Sequence, residues 1–356
     1  MRARSESFLV RALAGLPDRL LRAMVGRAVV IDGQELHVEA QLALKLLELG
    51  GSPSLATLSV ADARAQVGAD ARTFEGPKCP VGRVEELTVG GAIGPLGARL
   101  YVPADGRLEG GLLVYFHGGG FVVCDLETHD NTCRFLAEHA GAAVLSVDYR
   151  RAPEARFPAA IDDALAAFRF ALEHAREFGA DPAVVAVGGD SAGGNLAAGV
   201  ACLTASQRSR GPAFQLLFYP WVDLSRKRAS YELFGDGFYL TERDLDWYKG
   251  HYVTQEADAF DPRCSPLLTT ELDGVAPAYV ATAGFDPLRD EGEEYAARLR
   301  QVGVPVALRR HQGLIHAFVN AIGIGQIGRD ALLEAAGALR VGLAAARAAA
   351  ATSISQ

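Results

Sequence analysis

Cysteine is scarce in this chain: five in 356 residues, an odd number, with no Cys-x-x-Cys pair. That argues against a disulfide framework or a zinc site and favours a reducing compartment. Long apolar runs are missing too. No stretch approaches the roughly 18 uninterrupted apolar residues of a membrane-spanning helix. The basic start Met1-Arg2-Ala3-Arg4 leads into no sustained apolar run and no small-residue cleavage site. The expectation is a cytoplasmic protein with no integral membrane segment. No long Lys/Arg cluster occurs, and the net charge of −8 argues against a nucleic-acid partner. What is present is ordinary for a globular protein: 49% hydrophobic and 22% charged residues. The length suits two average domains or one large α/β domain with an appendage.

Residues 8–49 read as helical, most clearly Leu36 to Leu49, and Gly50-Gly51-Ser52-Pro53 ends that run. An Ala-rich stretch leads to Gly76-Pro77. The period then changes to two, in Val84–Val89 and Ala98–Val102, with glycines between, which reads as an antiparallel hairpin. Beyond it strands and helices alternate. Strands are expected at Leu112–Phe116, Ala142–Val147, Val184–Val187, Phe214–Tyr219, Tyr279–Ala283 and Val304–Arg309. Helices are expected at Thr132–His139, Ala159–Phe178, 192–206, Arg289–Gln301 and Arg329–Ala348, with a fraying tail at Ala344–Gln356. The fold class is therefore α/β, a mostly parallel sheet covered by helices on both faces. Residues 222–260 break the rhythm. They are rich in aromatics (Tyr231, Phe234, Phe238, Tyr239, Trp247, Tyr248, Tyr252), and an insertion of this size is read either as a cap over a site or as a pair of packed surface helices.

Two segments carry chemistry. Gly189-Asp190-Ser191-Ala192-Gly193-Gly194 has G-x-S-x-G spacing between a strand and a helix, the context of a nucleophile elbow. His117-Gly118-Gly119-Gly120-Phe121 has the form of an oxyanion-hole loop placed after an earlier strand. Together they indicate acyl transfer, with Ser191 as nucleophile. Backbone donors are expected from Gly118, Gly119 and Ala192, and an anchoring role from His117. A phosphate-cradling turn is disfavoured, since neither G-x-G-x-x-G nor a P-loop Lys-Ser/Thr follows.

A serine needs a base, and the base needs an orienting carboxylate. The chain order in this fold is Ser, then Asp or Glu, then His. Three histidines follow Ser191: His251, His311 and His316. His251 falls inside the aromatic insertion, His311 ends an expected strand, and His316 sits in a loop beyond it, so His316 is favoured. Asp286, just after a strand, is favoured as the acid over Asp290, which reads as a helix-start residue. Phe121, Asp190, Trp221, Tyr239 and Ile315 are candidates for the substrate pocket. No metal or cofactor is required.

From about 83 to 345 the chain resembles the hormone-sensitive-lipase-like esterases, bacterial family IV, within the α/β-hydrolases. The resemblance rests on the two segments above. It also rests on Tyr149-Arg150-Arg151-Ala152-Pro153-Glu154, Asp286-Pro287-Leu288-Arg289-Asp290 and Gly313-Leu314-Ile315-His316-Ala317-Phe318. It implies an α/β-hydrolase fold at 76–350, with a helical cap from residues 1–75 and an insertion at about 222–260. It implies a Ser191–His316–Asp286 triad and oxyanion donors at Gly118, Gly119 and Ala192. The substrate implied is a small short- to medium-chain ester, and similar enzymes often form homodimers. Amide or lactone hydrolysis by the same triad stays open. A non-catalytic receptor is disfavoured by the intact triad, and epoxide or haloalkane hydrolysis by serine where those enzymes carry Asp. Two positions depart from the pattern: Cys124 stands where Gly is usual and Arg151 where Leu is usual. A thiol there is either a handle for inhibition by alkylation or a small buried side chain.

Overall fold

The computed structural model describes residues 16–104 and 111–354. Residues 8–15 of the expected N-terminal helix and the last two residues of the tail lie outside the described residues. The N-terminal segment is not one helix. It runs as α1 (Asp18–Val25), a small hairpin of β1 (Val30–Ile31) and β2 (Gln34–Glu35), α2 (Val38–Gly50) and α3 (Val60–Phe74). The break has a local cause. Asp32 and Gly33 both adopt positive φ, 54° and 70°, as a two-residue Asp-Gly hairpin turn requires. Helix α2 ends as expected, at Gly51 in the left-handed conformation with φ 67°.

The body alternates strands and helices: β3 (Arg83–Gly90), β4 (Pro95–Val102), β5 (Leu112–Phe116), α4 (Asp130–Ala140), β6 (Ala143–Val147), α5 (Ala159–Glu173), β7 (Val185–Asp190), α6 (Ala192–Ser206) and β8 (Gln215–Phe218). The insertion contributes α7 (Ala229–Phe234) and α8 (Glu242–Tyr252), after which come β9 (Ala278–Phe285), α9 (Arg289–Gln301), β10 (Val306–Ile315) and α10 (Ile327–Ile354). The eight-stranded sheet has the order β10-β9-β8-β7-β5-β6-β4-β3. It is parallel from β10 to β6, and the antiparallel β3–β4 hairpin closes one edge through β4 against β6. Helix α5 stops five residues short of the expected Phe178. The His174 ring lies 3.0 Å from the Phe170 carbonyl, and the Ala180 N–H turns back to Ala175 O at 2.8 Å. Strand β10 runs past the expected Arg309, with a register irregularity between His311 and Ile315.

Strand side chains alternate between two cores. Leu112, Val114 and Phe116 of β5 pack with Ile161 and Phe168 of α5 and Leu196 of α6. Leu113 and Tyr115 face the other way, onto Phe135 of α4 and Leu332 and Leu339 of α10. Because β5 lies between β6 and β7, its C-terminal end opens at a switch point of the sheet, where open α/β folds bind ligands. Helix α6 approaches that end very closely. A Cβ on Gly193 would lie 1.9 Å from the Phe116 carbonyl oxygen, so only glycine lets the serine turn sit against the Gly-rich loop.

The N-terminal segment and the insertion meet above this end of the sheet. Leu36 and Ala40 pack with Phe234, Phe238, Phe285 and Ile315. The Ser54 hydroxyl donates to Asp244 of α8 at 2.9 Å. Glu39 accepts from the N–H groups of Gln326 and Ile327, tying α2 to the start of α10 at 3.0 Å. Among the described residues, no helix is long and apolar enough to cross a membrane.

Candidate active site

Ser191 follows β7 and precedes α6, with φ 55° and ψ −118°. A non-glycine residue there is strained by about 1–3 kcal/mol and persists only where neighbours hold it. They do: Ser191 N–H donates to Phe218 O at 2.9 Å, and Ser191 O accepts from Trp221 N–H at 3.1 Å. The Asn195 amide locks the same corner through the Trp221 and Cys264 carbonyls, both at 2.7 Å. The turn presents the serine to a cavity of about 610 Å³, the size range of small-molecule sites.

His316 directly follows β10 and lines the same cavity. Its Nδ1 lies 2.8 Å from Asp286 Oδ2. Asp286 is fully buried, and its other oxygen accepts the Leu288 N–H at 2.9 Å. Both carboxylate oxygens are thus committed, which fixes the ring and leaves Nε2 outside this pair. Asp290 does something else: it accepts the Ser230 N–H and pairs with Arg289, holding the start of α7. Neither His251 nor His311 lines the cavity. His251 packs edge-on against Trp247. His311 packs against Phe318 on β10, and burial pushes its pKa down to about 4.

The Gly-rich loop corrects one expectation. The Gly118 N–H is not free to meet an oxyanion, because it donates to the Asp190 carboxylate at 3.0 Å. The N–H groups of Gly119, Gly120 and Ala192 have no acceptor among the described residues, and Gly119 and Gly120 line the cavity. The available donor set is therefore Gly119, Gly120 and Ala192. The motif offers three adjacent glycines, and only the Asp190 contact distinguishes them. His117 is buried and neutral, its pKa pushed down to about 3 by burial. Its ring stacks on Tyr149, and Nδ1 donates to Gly118 O at 2.7 Å, so it anchors the loop.

The pocket candidates divide. Tyr239 and Ile315 line the cavity, with Leu44, Val67, Phe74 and Tyr248 completing a largely apolar wall. Asp190 also lies on the wall, but its oxygens are filled by protein donors. Phe121 and Trp221 are corrections. Phe121 is fully buried with its ring stacked 3.8 Å over Tyr252, and Trp221 is buried against Phe121, so both brace the floor beneath the serine turn. The two departures from the family pattern touch each other. Cys124 has φ 67°, the left-handed conformation that suits the usual glycine, and the Arg151 guanidinium donates to its carbonyl. Cys124 lines the cavity, but burial pushes its thiol up to about 12.

This fold and this cavity belong to one class of protein. An α/β-hydrolase family model matches residues 113–320, and the chain belongs to the α/β-hydrolase family. A carboxylic ester hydrolase, LipN, of Mycobacterium tuberculosis is 45% identical over 325 residues, 89% of this chain and 86% of that one. An ethyl acetate hydrolase of Pseudomonas putida is 44% identical over 227 residues, 63% of this chain and 71% of that one. A solved ester hydrolase from the Lake Arreo metagenome, complexed with a bipyridine phosphonate derivative, superposes with a TM-score of 0.83. It is 42% identical, over 86% of this chain and 98% of that one. Within the α/β-hydrolases the chain falls among the hormone-sensitive-lipase-like esterases, and it is a serine carboxylesterase.

Proposed function

We propose that the protein hydrolyses small short- to medium-chain carboxylic esters through an acyl-serine intermediate. The observation that carries this is the His316 Nδ1–Asp286 Oδ2 contact of 2.8 Å beside a strained serine turn on one cavity. Ser191 Oγ attacks the ester carbonyl while His316 Nε2 takes its proton. Asp286 holds the tautomer and stabilises the imidazolium that forms. The tetrahedral oxyanion lies against the N–H groups of Gly119, Gly120 and Ala192, already aimed where the charge develops. His316 then protonates the leaving alkoxide. Water, deprotonated by the same nitrogen, releases the acid and restores Ser191.

Residues 16–75 and the insertion at 222–260 act as the cap. Their supporting evidence is the cavity wall: Leu44, Val67 and Phe74 come from the first, Tyr239 and Tyr248 from the second. An apolar wall closed by helices favours a modest acyl chain over a long one. The test is hydrolysis of p-nitrophenyl esters from acetate to palmitate, by wild type and Ser191→Ala. Activity peaking at short or medium chains and vanishing in the variant is expected. A folded wild type inert on every ester overturns the reading.

A further inference from the structure

Asp190 is the buried point where three segments of the site meet. It is 2% exposed. Oδ1 accepts from the Tyr115 hydroxyl at 2.8 Å and from the Gly118 N–H at 3.0 Å. His129 Nε2 lies 3.1 Å from Oδ1 and 3.2 Å from Oδ2. Asn320 Nδ2 donates to Oδ2 at 3.1 Å. A carboxylate offers about four acceptor positions, and here three donors, from Tyr115, Gly118 and Asn320, and the adjacent His129 ring surround them. Burial alone would push this carboxyl up, but the adjacent His129 ring and the hydrogen bonds from His129, Tyr115 and Asn320 hold it at about 2.

The donors come from distant parts of the chain. Gly118 precedes the two glycines assigned as oxyanion donors. Asn320 ends the short turn that begins just after His316. Its amide is oriented, because Oδ1 meets the Thr132 hydroxyl at 2.7 Å, leaving Nδ2 to face Asp190. His129 directly precedes α4, and its Nδ1 lies 2.9 Å from Thr128 Oγ1. Asn320 and His129 border the cavity, yet Asn320 Nδ2 and His129 Nε2 are turned to Asp190 and lie 3.1 Å from each other.

We infer that Asn320 and His129 are positioning residues. By holding Asp190 they fix the Gly-rich loop and the His316 turn to one anchor beside Ser191. This rests on the catalytic assignment proposed above. Without Asn320, Oδ2 loses a donor and the His316 turn loses its tie to the elbow. The effect falls on the transition state, because oxyanion donors and base must be aligned when charge develops, not when the ester binds.

The test uses Asn320→Ala, with Asn320→Ser, which keeps a donor, as the second variant should alanine not fold. His129→Ala is measured alongside. Each is assayed with p-nitrophenyl butyrate. Each is also titrated with a trifluoromethyl ketone, which forms a tetrahedral adduct on serine, and with the matching methyl ketone, which binds as a ground-state mimic. Removing one oxyanion donor outright typically lowers the rate by about 10²–10³, so misaligning the loop should lower kcat about 10- to 100-fold. KM and methyl ketone affinity should stay within about twofold, and trifluoromethyl ketone affinity should fall by the same factor as kcat/KM. Asn320→Ser should recover part of the loss. Wild-type kcat with only a lower Tm, or a loss shared equally by both ketones, overturns the inference and leaves the network as packing. A wild type inert on every ester overturns the catalytic assignment itself, and this inference with it.

Discussion

Asp70 offers a test of the cavity from stability alone. It lies on the face of α3 that carries Gln66, Val67, Ala71 and Phe74 into the cavity. Among the described residues no donor or cation meets its carboxylate, and burial raises its pKa from 3.8 to about 6. The sign follows from linkage. The folded protein holds this proton more tightly than the unfolded chain, so below about pH 4 the group is protonated in both states and costs nothing. Stability is then lost as the pH rises from about 4 to about 6, and above that the full penalty applies. A shift of about two units corresponds to about 3 kcal/mol at most, and partial exposure of Asp70 reduces it to about 1–2 kcal/mol. Asp70→Asn keeps the shape and removes the charge. It should be more stable than wild type by about 1–2 kcal/mol at pH 8 and equal to it at pH 4. Urea unfolding at pH 4, 5, 6 and 8 measures this, with the midpoint moving at unchanged slope. In a melt the gain is small. With about 2.1 cal/mol/K of unfolding entropy per residue, it amounts to about 2 °C. A difference that does not change with pH, or a less stable variant at pH 8, would refute the argument that the charge sits desolvated and unpaired.

Three further outcomes are expected. In Asp286→Asn the Leu288 N–H still needs the side-chain oxygen, so the amide nitrogen faces His316 Nδ1 and the wrong tautomer is selected. Steady-state kcat should fall about 10⁴-fold with Tm little changed. Gly120 has φ 59°, and a Cβ there would lie 2.2 Å from the Tyr248 ring. Gly120→Ala should therefore lose about 1–3 kcal/mol of stability in urea and at least about 10²-fold in kcat/KM. Tyr248→Ala in the same chain should restore part of the stability and little of the rate. The Cys124 thiol, raised from 9.0 to about 12, holds about a thousandfold less thiolate than an ordinary cysteine at a given pH. Iodoacetamide at pH 7.5 should leave ester hydrolysis intact over times that fully alkylate glutathione. Rapid inactivation abolished by Cys124→Ser would contradict this.

Much of the molecule is legible in one dimension, because the signals are local. The five-residue apolar run Leu112–Phe116 marks a strand buried on both faces, and the helix after Ser191 begins and ends where its pattern indicates. Helix α10 runs to Ile354, six residues past the expected Ala348, because its Ala-rich tail favours helix. The ends of α5 and β10 are misplaced where a side chain or a bulge overrides periodicity, as His174 does when it turns back to Phe170. The N-terminal break was also local: Asp32-Gly33 is a hairpin signal embedded in an otherwise helical pattern.

The site separates along the same line. Ser191, Asp286 and His316 are announced by residue type, order and the strand ends they follow. Which glycine amides remain free is not, since that depends on the Gly118 N–H donating to a carboxylate 72 residues later. Asn320 is less visible still, reaching Asp190 across 130 residues with no motif of its own. Phe121 and Trp221 fall outside the cavity lining for the converse reason. They adjoin the motifs in sequence, but the loop and the elbow turn their rings inward against Tyr252 and each other. Neighbourhood in sequence therefore locates the backbone of this site. The direction of each side chain is decided by which buried donors and rings the sheet brings to the same end, and Asp190 is where that decision is concentrated.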